Sequence, residues 1–248
     1  MMKAATGRAI VTGGAKGIGL AIARRLAADG ASIALIGRDT AALETAAAEL
    51  HAHYVAADVT NAEALRDAIA ALGPCDMLVN NAGAALSNPF ARHTLNDFQS
   101  MLAVNLLSAV TACQCVLPHM RAQSFGRIVN IASTAGLKGY PYVTAYAAAK
   151  HALVGFTRAL ALETVRDGIT VNAVCPGFTD TEMVARSAAT IAAATGRSEQ
   201  EARAQLAGAN PAGRLIKPDE VAAAVAFLCR CDTAAITGQA IAVAGGEA

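Results

Sequence analysis

Neither sign of charge dominates the chain: 20 Lys and Arg stand against 19 Asp and Glu, a formal net charge of +1 at pH 7. A nucleic-acid binder is expected to carry a basic patch, so that class of partner is set aside. No run of like charges marks an acidic or basic interaction tail. The opening Met1-Met2-Lys3-Ala4-Ala5-Thr6-Gly7 reaches Arg8 before any long apolar stretch, unlike a signal peptide. The apolar runs are Ala-rich and broken by Glu, Arg or His, and they read as too short and too polar to span a bilayer. The six cysteines (Cys75, Cys113, Cys115, Cys175, Cys229 and Cys231) include no C-x-x-C pair and no neighbouring His cluster. That spacing argues against zinc, and no metal is expected. In a chain read as cytoplasmic, where disulfides are rare, they are expected as small buried apolar residues. No linker and no internal repeat interrupts the sequence, so residues 1–248 read as a single domain.

What is present is a strict alternation. The chain has 248 residues, 54% of them hydrophobic, which is enough to bury a large core. Short β-branched runs fall at Ala9–Thr12, Ser32–Ile36, His53–Ala56, Met77–Val79, Arg127–Ile131, Thr170–Val174 and Ala240–Val243. They are apolar on both faces, as parallel strands covered by helices must be. Between them lie predicted helices at Gly17–Asp29, Ala41–Leu50, Ala62–Leu72, Leu95–Met120, Thr144–Val165 and Asp219–Leu228. Thr40, the Thr60-Asn61-x-Glu63 run and Pro218-Asp219-Glu220 supply helix-start signals. The pattern predicts an α/β fold of the Rossmann type, a doubly wound parallel sheet of about seven strands with helices on both faces. Thr181 to Gly213 is Ala- and Ser-rich and supplies no strand, so it is expected as a helical lid over the ligand crevice.

Directly after the first strand comes Thr12-Gly13-Gly14-Ala15-Lys16-Gly17-Ile18-Gly19, running into a helix. Glycines let the backbone turn sharply and approach a pyrophosphate, and the helix N-terminus then offers free N–H groups to the anion. Asn80-Asn81-Ala82-Gly83 follows the fourth strand, Asn105 sits in a long helix, and Ser133 ends the fifth strand. Tyr146-x-x-x-Lys150 and Pro176-Gly177 complete the series. In this spacing and order the chain resembles the short-chain dehydrogenase/reductase family over essentially its whole length, and is similar to the 3-oxoacyl and polyketide ketoreductases within it.

The resemblance implies a catalytic set of Asn105, Ser133, Tyr146 and Lys150. Tyr146 and Lys150 are four apart on a predicted helix and share a face. A free phenol titrates near ~10, and a fixed lysine cation is expected to lower that value. Tyr146 can then exchange a proton with an alcohol or carbonyl oxygen, with Ser133 holding that oxygen. By resemblance, Asn105 fixes a water beside Lys150 and links the site to solvent. Ser133 lacks the G-x-S-x-G elbow of a hydrolase nucleophile. His151 reads as a helix-face histidine.

The resemblance also implies the cofactor shell: Gly13, Lys16, Gly17, Ile18 and Gly19 at the phosphates, Asp58 and Val59 at the adenine, and Asn81, Ala82 and Gly83 beside the ribose. Pro176, Gly177 and Thr181 would hold the pyrophosphate and carboxamide, and Tyr146 and Lys150 belong to the cofactor shell as well. After the second strand the chain reads Ile36-Gly37-Arg38-Asp39. A guanidinium pairs with a 2′-phosphate where a carboxylate repels it, so Arg38, with Lys16, predicts NADP(H). A one-residue shift in the turn would let Asp39 reach the ribose instead, which keeps NAD(H) open.

The predicted substrate lining is Thr134, Leu137, Tyr140 and Tyr142, with Ala84, Ala85, Leu86 and Met183. It is apolar without an obvious charged anchor, which suits a neutral ketone or a 3-oxoacyl thioester and the corresponding secondary alcohol. Asp167 stands where carrier-protein reductases often hold a basic residue, which weakens carrier docking. The second activity to weigh is an NAD-dependent secondary alcohol or 3-hydroxyacyl-CoA dehydrogenase. A non-catalytic dinucleotide-binding scaffold or sensor is a third. The family resemblance and the broadly apolar long helices predict a homo-oligomer, a tetramer.

Overall fold

The structure, a computed structural model, describes residues 7–247, so the opening Met1–Thr6 lies outside the described residues. Seven strands, β1 (Arg8–Thr12), β2 (Ser32–Gly37), β3 (His53–Ala56), β4 (Met77–Asn80), β5 (Gly126–Ile131), β6 (Ile169–Pro176) and β7 (Ala240–Val243), pair side by side in the order β3-β2-β1-β4-β5-β6-β7. Every pairing is parallel. The helices are α1 (Gly17–Ala28), α2 (Thr40–Leu50), α3 (Ala62–Leu72), α4 (Leu95–Leu102), α5 (Ser108–Ala122), α6 (Thr144–Thr164), α7 (Glu182–Thr195), α8 (Glu199–Gly208) and α9 (Pro218–Leu228).

Successive strand residues point to opposite faces, and both faces are covered. Ala9, Val11, Leu35 and Val79 pack under α1, α2 and α9, against Ile22, Leu26, Leu43 and Val225. Ile10, Ile36, Leu78 and Ile128 face the other way, against Leu65 of α3, Val116 of α5 and Leu160 of α6. The strand order reverses between β1 and β4, and in such a sheet the ligand crevice opens at the carboxyl ends of the strands beside that point.

Three local expectations are corrected. Asp39, not Thr40, caps α2: its carboxylate accepts from the Ala42 N–H at 3.1 Å, and Thr40 is already helical. The single helix expected over Leu95–Met120 is broken into α4 and α5 by a π-helical turn at Ala103–Leu107. The whole span Leu95–Ala122 is also long and apolar enough, by length and composition alone, to cross a membrane. Part of its apolar surface is used inside the protein: Met101, Ala112, Cys113, Val116 and Met120 are buried in the core, while Leu95 and Leu107 are exposed. Asn61 caps α3 as its signal implies, accepting from the Glu63 and Ala64 N–H groups.

The segment after β6 is helical, as expected. Helices α7 and α8 bury Val184 and Ala188 against Ala202 and Leu206, with Phe178 and Leu215 beside them. The excursion thus has a small core of its own, and an Asp180–Arg203 pair at 2.7 Å ties its start to α8. Cys75, Cys113, Cys175 and Cys229 are buried, while Cys115 is half-buried and Cys231 exposed. No metal-ligand cluster occurs among the described residues.

Candidate active site

The glycine turn after β1 is fixed by the backbone conformations its sequence allows. Gly13 and Gly17 adopt φ of +62° and +52°, a region that favours glycine. A Cβ on Gly19 would stand 2.2 Å from the Gly13 carbonyl oxygen, so only glycine fits where α1 passes the turn. Lys16, at the N-cap of α1, makes no side-chain cap hydrogen bond, and the first N–H groups of this 12-residue helix have no capping side chain. That is the cradle a pyrophosphate requires, and the residues present fit a dinucleotide. Thr181, the N-cap of α7, lies beside Gly17, its Cγ2 within 3.3 Å of a Cβ built there.

Asn81 serves this turn by a route that spacing does not reveal. Its amide donates to the Thr12 and Gly13 carbonyls at 3.0 Å each, and its backbone N–H donates to the Thr12 hydroxyl. The side chain thereby ties the glycine turn of β1 to the exit of β4, with Ala82 N–H on the same hydroxyl. Asp58 caps its own turn through the Thr60 N–H and hydroxyl, and these bonds hold its carboxyl below the usual range. Val59 is buried beside it.

At the end of β2 the two candidate cofactor selectors differ. Asp39 is engaged twice, by the cap of α2 and by Lys16 Nζ at 2.8 Å. The lysine hydrogen bond is the largest influence lowering its carboxyl. Arg38 is 79% exposed at its side chain, with Asp58 3.9 Å away.

The four catalytic candidates come from three segments and converge. Ser133 follows β5, its hydroxyl accepting from the Ala135 N–H at 3.1 Å and facing the Tyr146 phenol of α6, whose value it acts to lower. Lys150, one helical turn on, is 4% exposed and donates to the Ile131 carbonyl at 2.8 Å. Its Nζ lies 5.7 Å from the centre of the Tyr146 ring. Asn105 sits in the π-helical turn, donating to the Ala84 and Met101 carbonyls at 2.9 and 3.0 Å. Its Oδ1 is buried without a partner. That oxygen and Lys150 Nζ both approach Gly83, at 2.7 and 3.6 Å from the position a Cβ would take there.

One electrostatic expectation is not met. Burial raises the Tyr146 phenol above its ordinary value, the Ser133 hydroxyl works in the opposite direction, and no lowering by Lys150 is felt. Lys150 itself is pushed down to about 8, because burial disfavours its charged form.

The substrate side also holds a charge that the sequence did not suggest. Glu247, next to the chain end, buries its carboxylate against Tyr140, Lys138 and Gly177. Composition and spacing carry no signal for it, because its hydrogen-bonding partners Tyr140 and Lys138 lie more than a hundred residues away. Tyr142 takes a left-handed φ of +68°, and its carbonyl accepts from the Asn88 N–H. His151 is exposed on α6, as expected, with Nδ1 2.9 Å from the Ala147 carbonyl. Asp167 is occupied by Arg121 at 2.9 Å.

Comparison with known proteins agrees with this architecture. A family model described as short chain dehydrogenase matches residues 7–192. An acetoacetyl-CoA reductase of Shinella zoogloeoides is 40% identical over 245 residues, covering 96% of this chain and 97% of that protein. A D-beta-hydroxybutyrate dehydrogenase of Cupriavidus necator is 38% identical over 230 residues, covering 89% of each. A crystal structure of an actinorhodin polyketide ketoreductase variant with NADPH superposes with a TM-score of 0.94 at 38% identity. The match covers 100% of this chain and 99% of that one. The chain belongs to the short-chain dehydrogenase family.

Proposed function

We propose that the protein is an NADP(H)-dependent reductase of neutral ketones or 3-oxoacyl thioesters, with Tyr146 as the general acid. The observation that carries this reading is the convergence of Ser133, Tyr146, Lys150 and Asn105 beside a glycine turn shaped for a pyrophosphate. The cofactor would lie with its pyrophosphate over the N-terminus of α1 and its nicotinamide ribose near Tyr146 and Lys150. When bound, it supplies the hydride that reduces the carbonyl carbon.

The chain's own residues handle the oxygen and the proton. The hydroxyl of Ser133 holds the substrate carbonyl oxygen beside the phenol, and Tyr146 O–H donates to that oxygen as it becomes an alkoxide. The raised phenol keeps its proton at neutral pH, which suits an acid working in the reductive direction. Lys150, 5.7 Å from the ring centre, and the free acceptor of Asn105 support a return path by which the phenol is protonated again. In the oxidative direction the same path runs backward.

Arg38 favours the phosphorylated cofactor, since its guanidinium is exposed at the end of β2 while Asp39 is held by Lys16. The name of one solved relative, a polyketide ketoreductase with NADPH, points the same way, and that of an acetoacetyl-CoA reductase supports the 3-oxoacyl thioester substrate. Assembly as a homotetramer is supported by exposed apolar side chains: Leu95 of α4, Leu107 of the π-helical turn and Leu162 of α6.

Titration with NADPH and NADH, followed by cofactor fluorescence, tests the reading. Tighter binding of NADPH and reduction of 3-oxo esters or thioesters are the expected results. Tighter binding of NADH, with turnover only of secondary alcohols, would replace it by a dehydrogenase in which Asp39 reaches the ribose.

A further inference from the structure

The site as derived from Ser133, Tyr146 and Lys150 makes no use of Glu247, yet the chain buries this carboxylate to 3% side-chain exposure. A carboxylate is costly to remove from water unless it is paired. Its partners are all on the substrate side. Tyr140 O–H donates to Oε1, and Lys138 Nζ stands 3.7 Å from the same atom. The lysine also donates to the Glu247 main-chain carbonyl at 2.5 Å. The Tyr140 hydroxyl shares a second hydrogen bond, 2.7 Å long, with Thr134 Oγ1, the residue next to Ser133. The Tyr140 ring meets Phe178 edge-on, at the root of the lid.

The other carboxylate oxygen is buried without a hydrogen-bond partner. It lies against Gly177, 2.7 Å from where a Cβ would stand. The tail reaches this place through Gly245 and Gly246, with φ of +58° and +90°. Gly245 passes so close to Asn210 Oδ1 that a Cβ would meet it at 2.2 Å. One short segment therefore touches the loop after β5, the exit of β6 and the far end of the lid.

We propose that Glu247 is a positioning residue, which through Tyr140 and Lys138 fixes the loop from Ser133 to Tyr140 and so sets the fit of the ketone. The inference rests on the reductase reading and deepens it. Glu247 touches neither the reacting oxygen nor the proton path, so its effect falls on substrate binding rather than on the chemical step.

The test uses the full chain with Glu247→Ala and Tyr140→Phe, singly and combined. Ethyl 3-oxobutanoate and NADPH are the probes, and hydrogen exchange is followed over residues 134–140. Each single variant is expected to raise KM about tenfold, the loss of one charge-assisted hydrogen bond, with kcat within about twofold. The double variant should be no worse than the worse single one, since both break the same contact. The affinity for NADPH should hold, and exchange over 134–140 should accelerate in all three. An unchanged KM with unchanged exchange, or effects that multiply in the double variant, would overturn the proposal. A wild-type protein that reduces no ketone would sink the reductase reading alone. Exchange over 134–140 then decides the latch, acceleration supporting it and constancy refuting it. Should Glu247→Ala fail to fold, Tyr140→Phe keeps the ring against Phe178 and carries the same comparison.

Discussion

Lys150 shows how far a residue's role follows from its neighbours in sequence, and where that stops. Its spacing from Tyr146 places both on one face of α6, and that much is legible. Its depth is not: only the folded chain shows a nearly buried ammonium whose hydrogen bond is a main-chain carbonyl, with its value pushed down to about 8. Because the folded value lies below the unfolded one near ~10.4, folding at neutral pH carries a penalty for keeping this group charged. The penalty shrinks as pH rises from about 8 toward the unfolded value, where the unfolded chain alone still binds the proton. Urea unfolding of the wild type and of Lys150→Met across that window is the check. The wild type should gain stability relative to the variant as pH rises, and a constant difference would deny the shift. Glu247 is the opposite case, a residue with no local signature whose meaning comes wholly from distant partners.

At the scale of elements, the glycine turn was readable because each glycine has a steric reason to be there. Gly19 is the sharpest of these, with the Gly13 carbonyl 2.2 Å from any added Cβ. Gly19→Ala must push α1 away from the turn, so NADPH affinity is expected to fall at least about a hundredfold. A loss of on the order of 1–3 kcal/mol in unfolding free energy should accompany it. Isothermal titration and thermal melts would show both, and a variant that bound NADPH normally would contradict the account. Other elements resisted reading. The π-helical turn at Ala103–Leu107 has no composition of its own, since the apolar pattern runs on unbroken from α4 into α5. It is nevertheless what carries Asn105, in keeping with the frequent placement of such turns at functional sites. The cap of α2 was misplaced by one residue because Asp39 and Thr40 are both good caps, and only Asp39 reaches the Ala42 N–H.

For the whole molecule, the parallel sheet was legible from strands that are apolar on both faces, and the two packed layers above and below it follow. What the sequence concealed is how the chain's last third is anchored. Arg127, at the start of β5, is 2% exposed and donates to the carbonyls of Gly126, Gly168, Arg230 and Cys231. Its guanidinium also stacks 4.4 Å from the centre of the Phe125 ring. An arginine in a strand run reads as an edge or an error, but here it ties β5 to the turns before β6 and after α9. Replacing it by Met leaves those carbonyls without their donor, at a cost on the order of 3 kcal/mol. The expected result is a lower melting temperature with KM and kcat unchanged, because Arg127 lies at the end of the sheet opposite the site. Unaltered stability would show that the turns are held by other means.

Proton donation by Tyr146 is the step on which the proposed reduction depends most directly. Tyr146→Phe keeps the ring beside Lys150 and removes only the hydroxyl. The measurement is kcat for NADPH-driven reduction of a 3-oxo ester, with NADPH affinity recorded on the same sample by fluorescence. A fall in kcat of at least about a thousandfold is expected, with cofactor affinity within a few-fold of the wild type. Turnover near the wild-type rate, with NADPH still bound, would contradict it.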